Sequence, residues 1–168
     1  YPSQGWALNQ ANPERESWLK ATLAEIKTLV DAGAIEAIPL SSIPAGTNIM
    51  RSLFVYRRKR DAEGNPIKDK ARLVCDGSSS TTDDPTFSPT CQLSTVKLLS
   101  AFAVHHSTLQ HQTDISAAYV QAPMHRNDVY MRLPRNLDLM RDENGNQLAL
   151  HIHKSLYGHP VSGKNWWD

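Results

Sequence analysis

The sequence has few cysteines, no long apolar run and no glycine-rich phosphate loop. Its 168 residues include two cysteines, Cys75 and Cys91, and no secretory signal is recognised, which favours free thiols in a reducing compartment over a disulfide. No apolar stretch approaches the roughly 20 residues that span a bilayer, so no membrane partner is expected. The sequence has no glycine-rich phosphate loop, which argues against P-loop nucleotide binding. It also has no Ser, His and Asp arrangement typical of a catalytic triad, which argues against hydrolysis by such a triad.

A net charge of either sign is also nearly absent, because 18 basic residues almost balance 17 acidic ones and the formal net charge is only +1. It is unevenly spread, however. The segment 51–72 carries eight basic residues against three acids, a net +5 that leaves −4 for the remainder. Such a local concentration of basic residues predicts a surface that binds a polyanion. The alternative is a charged hairpin whose side chains are only solvated by water.

Two helices are predicted from apolar spacing. Asn12 and Pro13 are typical of a helix start, apolar residues then recur at helical spacing to Val30, and Gly33 is typical of a helix end. Residues 1–11 before it read as an unstructured lead-in. A second helix, about 94–106, is apolar nearly all round, which predicts a buried helix.

The strands are predicted from alternation and turn residues. Residues 53–60 and 67–76 flank a turn-rich connection and predict a β-hairpin, whose second strand has Lys68, Lys70 and Arg72 on one face because side chains alternate. Residues 34–50 read as loop. Further elements are predicted at the C-terminal side: a strand ending at Asp114, a strand 128–133, a turn 142–146, a strand 148–153 and a helix from Pro160.

Asp114 and two histidines are candidates for metal binding. Aspartate is depleted in strands, and an acid where a predicted strand ends, five residues before Tyr119, is compatible with a polymerase-type metal carboxylate. From the residues alone, a lone surface aspartate is the favoured interpretation. His151 and His153 suggest zinc. No cysteine or further ligand spacing accompanies them, so structural histidines are favoured. Asp83 and Asp84 lie in a Ser/Thr-rich loop and are expected to be solvated.

Several blocks in register resemble the reverse transcriptase of copia-type (pseudovirus) LTR retrotransposons. They cover about residues 14–167 and keep the order of that family. The blocks are Glu63-Gly64 with Lys70-Ala71-Arg72-Leu73-Val74, then Thr86-Phe87-Ser88-Pro89, Gln112-Thr113-Asp114-Ile115 with Ala118-Tyr119, Val129-Tyr130-Met131 with Leu133-Pro134, and Lys154-Ser155-Leu156-Tyr157-Gly158.

The resemblance implies an α+β fold, with helices packed on an antiparallel sheet, that forms the fingers and part of the palm of a right-hand polymerase. It implies domains at 12–90 (fingers-like, with the basic hairpin) and 91–168 (N-terminal palm). Asp114 and the carbonyl of Ile115 would hold Mg²⁺ or Mn²⁺, and Tyr119 would stack on the deoxyribose and exclude a 2′-hydroxyl. The nucleotide would also meet Lys70 and Arg72, and the nucleic acid would meet Arg57, Arg58, Lys59, Arg60 and Lys68.

The implied partners are an RNA template, a DNA primer, dNTP, and the remaining palm, thumb and RNase H-like regions of a parent polyprotein. The expected location is intracellular, in a cytoplasmic element particle or the nucleus. Two departures bear on activity. Val161 stands where the family usually has a glutamine that positions the template–nucleotide pair. The family's Tyr-x-Asp-Asp carboxylates, which lie downstream, are not in this sequence.

The chain starts at Tyr1 without Met and ends on Trp166-Trp167-Asp168, which we interpret as an excised piece of a longer polypeptide truncated within the palm. One carboxylate cannot hold two Mg²⁺ ions, so the piece is expected to be inactive alone, and whether it counts as an enzyme is left open. The alternative is a degenerate or co-opted segment that acts as a non-catalytic nucleic-acid- or protein-binding module. A structural fragment that dimerises through Trp166 and Trp167 is a third.

Overall fold

The fold is α+β, as expected, with short helices around two separate sheets. The computed structural model describes residues 2–134 and 141–168; residue 1 of the predicted lead-in and residues 135–140 of the predicted palm region lie outside these ranges. The helices are α1 (Gln4–Ala7), α2 (Arg15–Asp31), α3 (Leu93–His105), α4 (Ala118–Gln121) and α5 (Ser162–Trp167). The strands are β1 (Ile35–Pro39), β2 (Ile49–Met50), β3 (Ser52–Arg60), β4 (Pro66–Cys75), β5 (Tyr130–Met131) and β6 (Leu148–Ile152).

Helix α2 begins just after the predicted Asn-Pro start. The side-chain oxygen of Asn12 accepts the backbone N–H of Glu14 at 3.0 Å, and its amide donates to the carbonyl of Ala7 at 3.0 Å. This anchoring also holds α1, in which Ala7 is fully buried, so the prediction of an unstructured lead-in is wrong. Gly33, at φ +63°, ends α2 as expected.

The predicted β-hairpin is confirmed as β3 and β4. One face carries the buried residues Phe54, Tyr56 and Leu73. It packs against α2, where the ring of Tyr56 contacts Trp18 edge to face. Alternation then sends the residues between the buried ones to the opposite, exposed face. The hairpin therefore has one apolar face and one solvent face.

The second sheet has the order β1-β6-β5-β2 and is mixed rather than antiparallel throughout. β6 pairs antiparallel with both β1 and β5, whereas β2 runs parallel to β5. The strand β1 was missed within the predicted 34–50 loop. Its proline is the last residue, Pro39, and a proline at a strand end interrupts no pairing.

Helix α3 forms where it was predicted, but the prediction that it is buried is wrong. Only Ala103 is buried along it, whereas Leu98 is 70% and Phe102 58% exposed. Apolar residues on all sides of a helix indicate that something covers it without indicating what does. No helix in residues 2–134 and 141–168 has the length and apolarity needed to cross a bilayer.

The strand predicted to end at Asp114 does not form. Residues 108–115 have no regular structure and are exposed, because a strand needs a paired neighbour and none of the described strands lies beside this segment. The predicted strand 128–133 shortens to β5. The predicted turn at 142–146, the strand β6 and the C-terminal helix α5 are confirmed.

Candidate nucleotide and nucleic-acid interface

The segment 154–158 packs tightly against the end of β4. The backbone carbonyl of Tyr157 accepts the N–H of Cys75 at 2.8 Å. Gly158 has φ +82°, and a Cβ placed on it would lie 2.1 Å from the carbonyl oxygen of Cys75. Within this segment, Ser155 and Leu156 are buried. This docking holds the ring of Tyr157 beside the solvent face of the hairpin.

Two predicted nucleotide-binding residues meet at Tyr157. The guanidinium carbon of Arg72 lies 4.3 Å from the centroid of the Tyr157 ring, within cation–π range. Tyr119, from α4, contacts the ring of Tyr157 edge to face, with ring centroids 5.1 Å apart. Tyr157 was seen in the sequence only as part of a signature, because nothing local indicates that it bridges two residues far away along the chain.

The solvent face of the hairpin is a basic surface, which we define as Arg57, Lys59, Lys68, Lys70 and Arg72. All five are exposed. Arg57 pairs directly with Lys70 across the strands, and Lys59 pairs with Lys68. Like charges in directly opposed positions repel one another. The register therefore concentrates positive charge on one face of the hairpin.

Arg58 lies on the opposite face and is engaged within the protein. Its guanidinium donates to both carboxylate oxygens of Asp69, at 2.6 and 2.9 Å, and to Glu14 at 2.6 Å. It also lies 4.9 Å from the ring of Trp18. Hydrogen bonding to Asp69 raises the pKa of Arg58, and Arg58 lowers the pKa of Asp69. Its position thus supports attachment of α2 to the hairpin rather than contact with nucleic acid.

Arg60 lies where β3 enters the hairpin turn, and it is exposed. Its guanidinium donates to the carbonyl of Gly64 at 2.7 Å, which keeps the side chain over the turn. A guanidinium has five N–H donors, so others remain for a further partner. The residue therefore adds positive charge at the hairpin turn, where it also helps Arg58 to lower the pKa of Asp69.

Asp114 and Ile115 are exposed in the irregular segment before α4. Asp114 belongs to no group of three or more potential ligands within the ranges described. The loop acid Asp84 instead pairs with Arg126 at 3.4 Å. Two Mg²⁺ ions need several carboxylates, so the described residues do not form a two-metal site by themselves.

Val161, at the position of the family glutamine, is 5% exposed and packs in the core. The neighbouring His159 is buried, and burial lowers its pKa, with the nearby charge of Arg126 acting in the same direction. A buried valine side chain offers no hydrogen bond to a template–nucleotide pair. Val161 therefore does not make the template–nucleotide contact that the resemblance implies for the glutamine.

A cluster joins Glu36, which the sequence did not indicate, to His151 and His153, which it did. The Nε2 atom of His153 lies 3.1 Å from a carboxylate oxygen of Glu36. The carboxylate is 117 positions from His153 along the chain, so ligand spacing could not indicate it. Only the pairing of β1 with β6 brings the three side chains together.

Comparison with known proteins assigns the family. Residues 36–168 match the family described as reverse transcriptase (RNA-dependent DNA polymerase). The chain belongs to this family. It is 22% identical over 160 residues to the retrovirus-related Pol polyprotein from transposon TNT 1-94 of Nicotiana tabacum, covering 94% of this chain and 12% of that protein.

The chain is also 31% identical over 125 residues to the Ty1-ER2 Gag-Pol polyprotein of Saccharomyces cerevisiae, covering 71% of this chain and 6% of that protein. The Ty1-H Gag-Pol polyprotein matches equally. These matches confirm the copia-type assignment. The chain thus spans about an eighth or less of the curated relatives it matches. No solved structure matches it.

Proposed function

We propose that this chain forms the fingers and the N-terminal part of the palm of a copia-type RNA-directed DNA polymerase. The observation that carries the proposal is the convergence of Arg72 and Tyr119 on Tyr157 beside the basic surface. A deoxynucleoside triphosphate is bound by cationic side chains, which contact its phosphates, and by aromatic rings, which stack on its nucleoside.

Arg72, Lys70 and Tyr119 contact different parts of the nucleotide in this proposal. The guanidinium of Arg72 lies over the ring of Tyr157, a position from which its N–H groups would donate to phosphate oxygens. Lys70, one step along the same face, adds a point charge. Tyr119 is half-buried, and its exposed part offers a ring edge or face to the sugar, where it would discriminate against a 2′-hydroxyl.

The rest of the basic surface contacts the template–primer backbone. Arg57, Lys59 and Lys68 present charge without a groove-reading element, and Arg60 adds a further cation at the hairpin turn, so their contacts fix position and carry no sequence information. Binding through them releases counterions, which makes the affinity depend steeply on salt.

Catalysis requires the rest of the parent polyprotein. Asp114 and the carbonyl of Ile115 supply part of a Mg²⁺ (or Mn²⁺) site that further palm carboxylates complete. The exposed apolar residues of α3 fit the same view, since an adjoining palm surface would cover them. The thumb and RNase H-like regions complete the proposed set of partners, and the element particle or the nucleus is the proposed location.

Fluorescence anisotropy tests this proposal. A labelled RNA–DNA duplex is titrated with the 168-residue chain at salt concentrations from about 50 to about 200 mM. We expect the double variant Lys59→Ala/Lys68→Ala to reduce the slope of log affinity against log salt by about 2, one for each phosphate-binding lysine removed. Lys27→Ala on α2 removes the same type of charge from an exposed ion pair with Asp31 and is the matched control. An unchanged slope in the double variant contradicts the proposed interface.

A second candidate is a non-catalytic binding module derived from a reverse transcriptase, and the buried Val161 favours it. Both candidates bind nucleic acid, so the salt experiment does not separate them. Reading the coding frame beyond Asp168 does. A Tyr-x-Asp-Asp sequence in the continuing frame supports the polymerase, and a stop codon directly after Asp168 supports the module.

A further inference from the structure

Three potential metal ligands share one face of the β1–β6 pair. Glu36 on β1 lies directly opposite His151 on β6, and His153 follows two residues later on the same side because strand side chains alternate. One ligand atom from each of the three lies within 4.8 Å of the other two. On the opposite face, Ile35 and Ile152 are buried in the core, which holds both strands in place.

The hydrogen bonds of the cluster leave a nitrogen available on His151. The Nε2 atom of His151 lies 2.8 Å from the backbone carbonyl oxygen of Asn127. A carbonyl only accepts, so this nitrogen carries the proton and Nδ1 retains its lone pair. The ring also stacks on Tyr130, with centroids 4.9 Å apart. A histidine whose second nitrogen donates to a carbonyl is the usual arrangement of a metal ligand.

We propose that Glu36, His151 and His153 bind one Zn²⁺ ion, with water in the fourth position. Zn²⁺ accepts imidazole nitrogen and carboxylate oxygen at about 2.0–2.2 Å, which places tetrahedral ligand atoms about 3.3 Å apart. The 3.1 Å separation of His153 and Glu36 already matches that edge. The remaining separations, at most 4.8 Å, close by rotation of the exposed side chains of Glu36 and His153 toward His151, which keeps its hydrogen bond.

This site differs in chemistry from the proposed magnesium site at Asp114. Mg²⁺ takes oxygen ligands and keeps its waters, whereas two imidazoles select a transition metal such as Zn²⁺. Bound metal would replace the direct Glu36–His153 contact and link β1 to β6 across the sheet. Its role would then be to hold the edge strand β1 to its neighbour β6.

Isothermal titration of the metal-free 168-residue chain with ZnCl₂ tests the proposal. We expect one Zn²⁺ per chain, a rise in Tm on zinc addition, and no such response to MgCl₂. Glu36→Gln keeps the size of the side chain and His153→Gln keeps a polar surface residue, and each is expected to weaken Zn²⁺ binding at least about tenfold. Far-UV circular dichroism confirms that the variants fold.

The matched control is the double variant His105→Gln/His106→Gln, since these adjacent rings at the end of α3 form another close histidine pair, with centroids 4.8 Å apart. We expect it to bind Zn²⁺ as the unmodified chain does. Full affinity in both Glu36→Gln and His153→Gln overturns the proposal. Loss of the single site in the α3 double variant overturns it as well, because the metal would then lie elsewhere.

Discussion

At the scale of single residues, Gly158 is a position where the backbone tolerates no side chain. Gly158→Ala would add a Cβ 2.1 Å from the carbonyl oxygen of Cys75 at a φ of +82°. We expect a loss of more than about 3 kcal/mol in the free energy of unfolding, because the left-handed conformation costs about 1–2 kcal/mol and the clash adds to it. Urea denaturation measures the difference.

Gly46 is a control position that distinguishes the steric clash at Gly158 from the conformational cost of a positive φ. It has nearly the same φ, +84°, but nothing lies within 4 Å of an added Cβ. Gly46→Ala should therefore lose only the conformational part, about 1–2 kcal/mol. Equal losses for the two variants would show that the close approach of segment 154–158 to β4 is not what constrains Gly158.

Among the residues of the proposed sites, reasoning from the residues alone worked where the argument was local. Arg72 follows from strand alternation within the hairpin, and its exposure agrees with that. Tyr157 and Glu36 acquire their neighbours from chain segments far away in sequence, so alternation and spacing say nothing about them. Family resemblance supplied Tyr119, and the structure adds its contact with Tyr157.

At the scale of elements, the attachment of α2 to the hairpin depends on Asp69. Its carboxylate accepts from both Arg58 and Ser17, and these bonds lower its pKa. Asp69→Asn should cost about 1.5–3 kcal/mol at neutral pH, the usual value of hydrogen bonds to charged groups. Because the pKa is depressed in the folded state, this contribution is present above the unfolded pKa of about 3.9 and is lost as pH falls through the folded pKa.

Urea denaturation of both proteins between about pH 7 and about pH 3 measures this dependence. The stability gap between them should shrink only at the acidic end. Asp31→Asn is the control, since Asp31 forms an exposed pair with Lys27 that contributes little. A gap that stays constant to the acidic end of the range would mean that the Asp69 charge does not hold the helix in place.

The elements predicted correctly are those whose signals are contained within them. The hairpin and α2 carry their own alternation, turns and caps, so local reasoning found both. Residues 108–115 have the residues of a strand and no described strand to pair with, and α3 has the apolarity of a core helix without a cover among the described residues. Both errors arose because strand pairing and helix burial are properties of the surroundings rather than of the segment.

At the scale of the whole molecule, the chain has a basic surface beside the paired rings of Tyr119 and Tyr157, and the proposed metal carboxylate Asp114 lies apart from it. Asp114 stands outside any three-ligand group in residues 2–134 and 141–168, and the apolar side of α3 is exposed. The family blocks predicted both the α+β class and the reverse transcriptase family. The arrangement of carboxylates was not predictable, because it depends on segments that approach each other only in three dimensions.

The purified 168-residue chain should therefore bind template–primer yet add no nucleotide. Phosphoryl transfer requires two metal ions, and a single exposed carboxylate cannot hold both against their hydration. A labelled DNA primer on an RNA template, with dNTPs and either Mg²⁺ or Mn²⁺, should remain unextended on a sequencing gel. A complete reverse transcriptase serves as the positive control, and Asp114→Asn sets the background for the preparation. Extension above that background would mean that Asp114 acquires partner carboxylates within this chain, for instance by association of two copies, and the proposal that catalysis needs the rest of the polyprotein would then fail.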